Sequence, residues 1–257
     1  MNLQVLLYHG LYRDRAEIAG KPAREYLAVE DFRSQVLWLR EAGFTFLPLR
    51  ECRLRSERAD LPPRTVCLTF DDGKASDLHL AAPVLAEQDA RATFFIIPGW
   101  LGRRNILTAD GVRELFDGGF EIGAHSLSHP FLTSLREEEL QREIRAPKGY
   151  LEDLLGHPVE SFSYPFGDSD KRVRNAVASA GYRVACGTQR GVNAGSVDWL
   201  NLNRWGIHES TGVPGLARLM SRRAPSIGER AGALVCGALG RERYVRWRAR
   251  WARRAGR

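Results

Sequence analysis

The sequence lacks an apolar run near the roughly 20 residues that a membrane-spanning helix needs. Its first residues also lack the basic leader and long apolar stretch of a secretory signal. No phosphate-binding loop, dinucleotide fingerprint or nucleophile elbow is present. The cysteines form no paired motif, which argues against a disulfide framework and fits a reducing compartment: Cys52, Cys67, Cys186 and Cys236. From these absences we expect a cytoplasmic protein.

Residues 1–240 also lack a net charge. The net charge is +7, and residues 241–257 carry all of it, because they hold eight arginines and one glutamate. A basic helix with Tyr244, Trp247 and Trp251 on one side suits an anionic membrane surface. We therefore predict that residues 213–257 form a basic, amphipathic, helical C-terminal extension, and that residues 241–257 attach to the anionic surface of the inner membrane face. A merely solubilising tail or a nucleic-acid contact are the alternatives, and we expect no nucleic-acid partner.

Strand-like and helix-like segments alternate from the first residues to about residue 186, including a helix over 135–155 interrupted at Pro147. Such alternation implies βαβ units and a parallel sheet. No linker precedes about Gly212, so residues 1–212 are predicted to form one domain. We expect an α/β fold, a closed or nearly closed (β/α) barrel with its chemistry at the carboxyl ends of the strands.

Two aspartates and two histidines follow two of the predicted strands. Residues 65–73 read TVCLTFDDG, so that Asp71 and Asp72 come directly after an apolar strand. His125 and His129 follow the strand-like residues 120–124. An Asp-Asp-Gly sequence is often only a turn. One carboxylate and two histidines at strand exits nevertheless suit a catalytic metal site with open positions, in which the second aspartate acts as general base.

The segments TFDDG, HSLSH and YPFG, in this order and spacing, resemble the polysaccharide deacetylase family (the NodB-homology group, carbohydrate esterase family four). The resemblance covers roughly residues 3–208. It implies a distorted (β/α) barrel that removes N- or O-acetyl groups from sugars with a divalent metal, for which we expect Zn²⁺. It assigns Asp71 as general base, the backbone N–H of Phe166 as an oxyanion donor, and three metal ligands: Asp72, His125 and His129.

Two positions depart from the common pattern of that family. Ser163 stands where many members have an arginine that steadies the base, and Arg204 could supply the missing guanidinium; a structural arginine is the alternative. The late signature that provides the general acid is only approximated around His208. The opening Tyr8-His9 resembles the poly-N-acetylglucosamine deacetylase branch, in which an N-terminal histidine takes that role. We favour His9 because it ends an apolar strand.

The predicted substrate is an acetylated amino sugar in a polysaccharide or a lipid-linked glycan. Tyr164 and Trp199 are predicted to line the groove that binds it, although a tryptophan that only packs is an equal alternative for Trp199. A related hydrolase of formyl groups or cyclic amides is a second interpretation. A catalytically silent carbohydrate-binding barrel is a third, and the intact set of four residues argues against it: Asp71, Asp72, His125 and His129.

Overall fold

The structure of the chain is a computed structural model, and it describes residues 2–22 and 25–222. Strands and helices alternate along this part of the chain. The strands are β1 (Asn2–Tyr8), β2 (Gly10–Tyr12), β3 (Tyr26–Ala28), β4 (Thr45–Phe46), β5 (Thr65–Phe70), β6 (Ala92–Ile96), β7 (Glu121–Ala124), β8 (Ser161–Ser163), β9 (Val184–Cys186), β10 (Asn193–Ala194) and β11 (Trp205–Gly206). The helices are α1 (Val29–Glu41), α2 (Leu49–Glu57), α3 (Ala82–Glu87), α4 (Ala109–Asp117), α5 (Glu137–Leu155), α6 (Lys171–Ser179) and α7 (Gly212–Met220).

One nine-stranded sheet carries the fold, with the strands in the order β10, β1, β5, β6, β7, β8, β9. β11 pairs with β1 and β4 with β5, and the neighbours are parallel except for β10. A single segment reaches β9, at one end of this order, and β1, next to the other end, because Leu202 bridges to Cys186 while Trp205 pairs with Leu6. The predicted α/β class and distorted barrel are confirmed, with the sheet curled into a half-barrel. β2 and β3 form a separate parallel pair.

The central strand β5 divides the core into two layers. Its six residues are buried, and its apolar side chains belong to two separate clusters. Phe70 packs with Phe32 of α1 in the larger cluster, under the helices, whereas Cys67 belongs to a smaller cluster with Phe95 of β6. Because side chains alternate along a strand, Asp71 continues the row of Cys67 and not that of Phe70. The end of β5 thus delivers a carboxylate to the inner side of the sheet.

Pro147 does not interrupt α5, contrary to the expectation from the sequence. A proline inside a helix has no N–H to donate to the carbonyl four residues earlier. That carbonyl belongs to Glu143, and it accepts a hydrogen bond from the N–H of Leu127 at 3.1 Å instead. The helix therefore offers a backbone acceptor to the loop that carries the two histidines.

The predicted boundary at residue 212 lies too early. The first compact unit runs to Arg222, because α7 follows directly and buries Leu216 completely in the core cluster that contains Phe32. Residues 213–222 thus belong to the barrel unit. The rest of the predicted extension, including residues 241–257, lies outside the described residues. Among the described helices, none combines the length and the apolar character needed to cross a bilayer.

Candidate active site

Asp71 is held by a buried guanidinium at the end of β5. Nη1 of Arg204 lies 2.8 Å from Oδ1 of Asp71 and Nη2 lies 2.7 Å from Oδ2, which is a bidentate pair. The hydroxyl of Ser163 adds a third hydrogen bond, at 3.1 Å to Oδ2. Burial by itself would raise the pKa of Asp71, but the charge of Arg204 outweighs it and lowers the pKa to about 2. The carboxylate is therefore ionised at neutral pH.

The position of Arg204 explains why Ser163 can replace an arginine on β8. Nη2 of Arg204 donates to Oγ of Ser163 at 2.9 Å, and Nε donates to the carbonyl of Gly187 at 2.8 Å. Arg204 is completely buried, so its charge requires a partner of opposite sign, and Asp71 is that partner. The guanidinium approaches the base from the segment before β11, whereas the serine keeps a small polar contact on β8.

Asp72, His125 and His129 come together beside this pair. The two Nε2 atoms are 3.2 Å apart, and Oδ1 of Asp72 lies 3.7 Å from Nε2 of His125 and 3.8 Å from Nε2 of His129. A triangle with these sides has its centre about 2.1 Å from each corner, which matches a Zn–N or Zn–O bond. All three side chains are buried. The donor set thus fits a divalent metal with further positions open to small ligands.

The ring of His125 is oriented by the backbone. Nδ1 lies 2.7 Å from the carbonyl oxygen of Ser163, so Nδ1 carries the proton and donates it there. The lone pair of Nε2 then faces Asp72 and His129. Such an outer hydrogen bond fixes the tautomer that a metal ligand needs.

The loop that carries the histidines is strained and tightly held. Ser126 and His129 have φ angles of 58° and 64°, and Asp72 has 83°, in the left-handed region that non-glycine residues rarely adopt. The carboxylate of Glu143 accepts the N–H groups of Leu127 and Ser128, at 3.0 and 2.9 Å. These contacts from α5 offset the strain, because each satisfies a polar group of the loop.

The two histidines considered as general acid lie in different surroundings. His9 directly follows β1, where burial lowers its pKa and the charges of Asp72 and Asp71 act to raise it. His208 follows β11, and its Nδ1 lies 2.9 Å from the hydroxyl of Ser210. It lines a pocket of about 240 Å³ whose lining contains neither aspartate. The electrostatic contact with both carboxylates therefore belongs to His9.

Aromatic side chains surround His129. The ring of Phe166 lies edge-on to it at 4.4 Å, and Trp100 is 5.3 Å away on another side. Phe166 has a φ of 61°, so the YPFG segment turns sharply at the residue predicted to offer its backbone N–H. Phe131 stacks on Phe166 at 4.3 Å. Trp100 was not predicted, although its place shortly after β6 was a usable signal.

The two predicted substrate-binding aromatics do not reach this site. Tyr164 is completely buried, and its hydroxyl donates to the carbonyl of Leu200 at 2.9 Å, so it packs in the core. Trp199 packs against the smaller apolar cluster, which includes Leu49 and Val184. The prediction for Tyr164 is wrong because the residue lies on the helix-facing side, with Phe162. For Trp199 the packing alternative describes the observed contacts.

The sequence of the chain matches known proteins along most of the described region. The sequence model of the family described as polysaccharide deacetylase matches residues 58–185. YxkH of Bacillus subtilis is 26% identical over 84% of this chain and 74% of its own length. Poly-β-1,6-N-acetyl-D-glucosamine N-deacetylase of Staphylococcus aureus is 26% identical, over 58% of this chain and 57% of that protein. The chain thus spans little more than half of the latter relative.

Solved structures agree with the fold. The deacetylase PplD of Streptococcus pyogenes superposes with a TM-score of 0.80 at 25% identity, over 86% of this chain and 99% of that one. IcaB of Ammonifex degensii has a TM-score of 0.76 at 23% identity, over 86% and 97%, and supports the fold. Together with the family match and the segments TFDDG and HSLSH, these similarities show that the chain belongs to the polysaccharide deacetylase family.

Proposed function

We propose that the chain is a metal-dependent hydrolase that removes N-acetyl groups from an amino sugar in a polysaccharide or a lipid-linked glycan. Family membership gives deacetylation of a polysaccharide. One observation carries the finer proposal: the ionised Asp71, clamped by Arg204, lies beside three metal-type donors, with its Oδ2 3.8 Å from Nε2 of His125. A base next to such a set is the arrangement that metal-assisted hydrolysis needs.

The proposed metal ligands are Asp72, His125 and His129, and the donor set of two imidazoles and one carboxylate is typical of Zn²⁺. When bound, a divalent metal would polarise the acetyl carbonyl and make a water molecule more acidic. Asp71 would take the proton of the attacking water, because its low pKa keeps it ionised and Arg204 fixes its direction.

The remaining roles concern charge and the leaving group. Negative charge develops on the acetyl oxygen during attack, and the backbone N–H of Phe166 is proposed to donate a hydrogen bond to it. The departing amine needs a proton, for which His9 is proposed as the donor. Trp100 and Phe166 offer apolar faces next to His129, on which a sugar ring can pack.

The experiment combines metal analysis with acetate release from N-acetylglucosamine oligomers. Asp72→Ala, His125→Ala and His129→Ala should each lower metal occupancy, because they remove a ligand. Asp71→Asn should keep the metal and lose turnover, because the base acts only in proton transfer. A metal-free Asp71→Asn together with a fully loaded Asp72→Ala would reverse the two roles. Formate release from formylated sugars, without acetate release, would favour the second interpretation.

A further inference from the structure

Lys74 binds the far oxygen of the proposed metal ligand Asp72. Its Nζ lies 2.9 Å from Oδ2, and only 12% of each of the two side chains is exposed. The other oxygen, Oδ1, is the one that faces the two imidazole Nε2 atoms. The two oxygens of this carboxylate therefore have separate partners: Oδ1 faces the metal site and Oδ2 faces the ammonium.

A slot in the fold fixes the position of this lysine. Gly10 pairs with Tyr26 between β2 and β3, and a Cβ on Gly10 would lie 2.4 Å from the tyrosine ring and 2.9 Å from Cδ of Lys74. Only glycine leaves room there for both side chains. Nζ of Lys74 lies 5.3 Å from the centroid of the same ring. The ammonium is thus confined between the ring of Tyr26 and Asp72.

The charge of Lys74 affects the net charge around the proposed metal site. Arg204 neutralises Asp71, and Lys74 neutralises Asp72, so these four side chains together carry no net charge. A divalent ion bound at Oδ1 would be repelled by the nearby ammonium, since the charges are of the same sign in a buried region. The lysine also prevents Oδ2 from turning towards the ion.

We propose that Lys74 is a positioning residue that keeps Asp72 as a ligand through one oxygen only and that lowers the affinity of the site for its metal. A single-oxygen contact leaves more positions open to water and substrate, as a catalytic site requires. The inference rests on the metal-dependent function proposed above. The family motifs described above assign no role to Lys74. Its proposed role depends on the ammonium at position 74 and on the absence of a side chain at Gly10.

Lys21 offers a matched control. Its Nζ lies 5.2 Å from the centroid of the same Tyr26 ring, but it donates to the carbonyl of Glu17 at 2.8 Å. No ion pair between Lys21 and Asp72 occurs among the residues that the structure describes. Lys21→Met removes a lysine that lies over the same Tyr26 ring, and it leaves the carboxylate of Asp72 with its lysine partner.

The test measures the Zn²⁺ dissociation constant of the full chain by competition with a chromogenic chelator. We expect Lys74→Met to bind Zn²⁺ at least about tenfold more tightly than the unchanged protein. Its kcat on an N-acetylated oligomer should fall while KM changes little, because a second oxygen of Asp72 then occupies a position at the metal. The Co²⁺-loaded variant should show weaker visible absorption, which accompanies a higher coordination number. Lys21→Met should match the unchanged protein in every measurement.

Two further variants separate charge from folding. Lys74→Arg keeps the charge and should stay closer in Zn²⁺ affinity to the unchanged protein than Lys74→Met does. Lys74→Gln removes the charge but can still donate to Oδ2, so it should bind Zn²⁺ more tightly and lose less kcat than Lys74→Met. Equal or weaker Zn²⁺ binding by both neutral variants would overturn the proposal. If the unchanged protein itself binds no Zn²⁺ through Asp72, the proposed function fails, and the two failures are thereby distinguished.

Discussion

The buried pair of Asp71 and Arg204 links catalysis to folding at the scale of single residues. Asp71 has a pKa lowered to about 2, so the pair contributes stability above the ordinary carboxyl pKa of about 3.9, and this contribution is lost as the pH falls towards 2. Removing the guanidinium reverses the direction of the pKa shift of Asp71, because burial then raises the pKa of an unpaired carboxyl. Ionising Asp71 at neutral pH would then oppose folding.

Arg204→Met should therefore destabilise the protein by about 3–5 kcal/mol at pH 7 and by clearly less at pH 4. The measurement is urea unfolding of the variant and the unchanged protein at both pH values. Arg190→Met, at an exposed position in a neighbouring loop, should stay within about 0.5 kcal/mol at either pH. A destabilisation by Arg204→Met that is the same at pH 4 and pH 7 would contradict an ionised partner.

The choice between His9 and His208 also belongs to this scale. His9→Ala should keep the fold and the metal but lower kcat on an N-acetylated sugar by about 100-fold or more, because the departing amine lacks its proton donor. The loss should be much smaller on an ester with a good leaving group, which needs little protonation. The comparison of the two substrates for both histidine variants is the measurement. If His208→Ala shows this pattern and His9→Ala does not, the assignment to His9 is wrong.

At the scale of elements, α5 acts as a support for the histidine loop. Pro147 leaves the carbonyl of Glu143 without a helical N–H, and Leu127 donates to it, while the Glu143 side chain accepts from the loop N–H groups. Gly99 completes the enclosure: its N–H donates to the carbonyl of Leu127 at 3.0 Å, and a Cβ there would lie 2.4 Å from that oxygen. The loop is thus fixed from two sides before any metal binds.

Glu143→Ala should weaken Zn²⁺ binding by about 10- to 100-fold, as is usual when a partner that orients a ligand is lost. The reason is that the N–H of Ser128 loses its acceptor and the N–H of Leu127 keeps only the backbone carbonyl of Glu143, so that the strained turn relaxes. Glu138→Ala, at an exposed position on the same helix, serves as control and should leave affinity unchanged. Unaltered Zn²⁺ affinity in Glu143→Ala would show that the backbone contacts alone hold the loop.

The sequence predicts the elements that obey local rules better than those that depend on distant contacts. The apolar run of β6 and the cap of α4, where the hydroxyl of Thr108 accepts the N–H of Gly111, are typical of short sequence patterns. The short strands β10 and β11 have no pattern of their own, because they form only against β1. Separation in sequence similarly hides the 3.1 Å approach of Cys52 Sγ to Cys67 Sγ.

Within the candidate site, too, the residues in local motifs were easier to predict than those that depend on distant contacts. TFDDG and HSLSH carry their chemistry in consecutive residues, so their convergence follows from strand ends in a parallel sheet. Neither Lys74 nor Glu143 was predicted. Lys74 follows Asp72 closely in the sequence, but its position depends on the distant Gly10 and Tyr26, and Glu143 contacts a loop that precedes its own helix. Tyr164 was misplaced because the side of a strand on which a residue lies depends on register, and a shift of one residue exchanges the two sides.

At the scale of the whole molecule, the compact unit that ends at Arg222 contains every residue of the proposed site. A chain shortened to residues 1–222 should therefore fold and release acetate from soluble oligomers at a rate within about twofold of the full chain. Shortening to residues 1–211 should fail, because it removes α7 and exposes the apolar core around Phe32 that Leu216 covers. Circular dichroism and acetate release measure the two outcomes, and an active 1–211 chain would place the unit boundary earlier.

Residues 241–257 raise a question that only the whole chain answers. They lie outside the described residues, and they carry the entire net charge of the protein. Each arginine near an anionic surface contributes about 1 kcal/mol, and tryptophans add apolar contact at the headgroup level, so several together suffice for reversible attachment.

We expect the full chain to sediment with vesicles that contain anionic lipid, and the 1–240 chain to stay in solution with its activity on soluble oligomers intact. High salt should release the full chain, since the attraction is screened. Equal sedimentation of both chains would rule out residues 241–257 as the membrane attachment. Binding to nucleic acid without binding to vesicles would indicate a nucleic-acid partner instead.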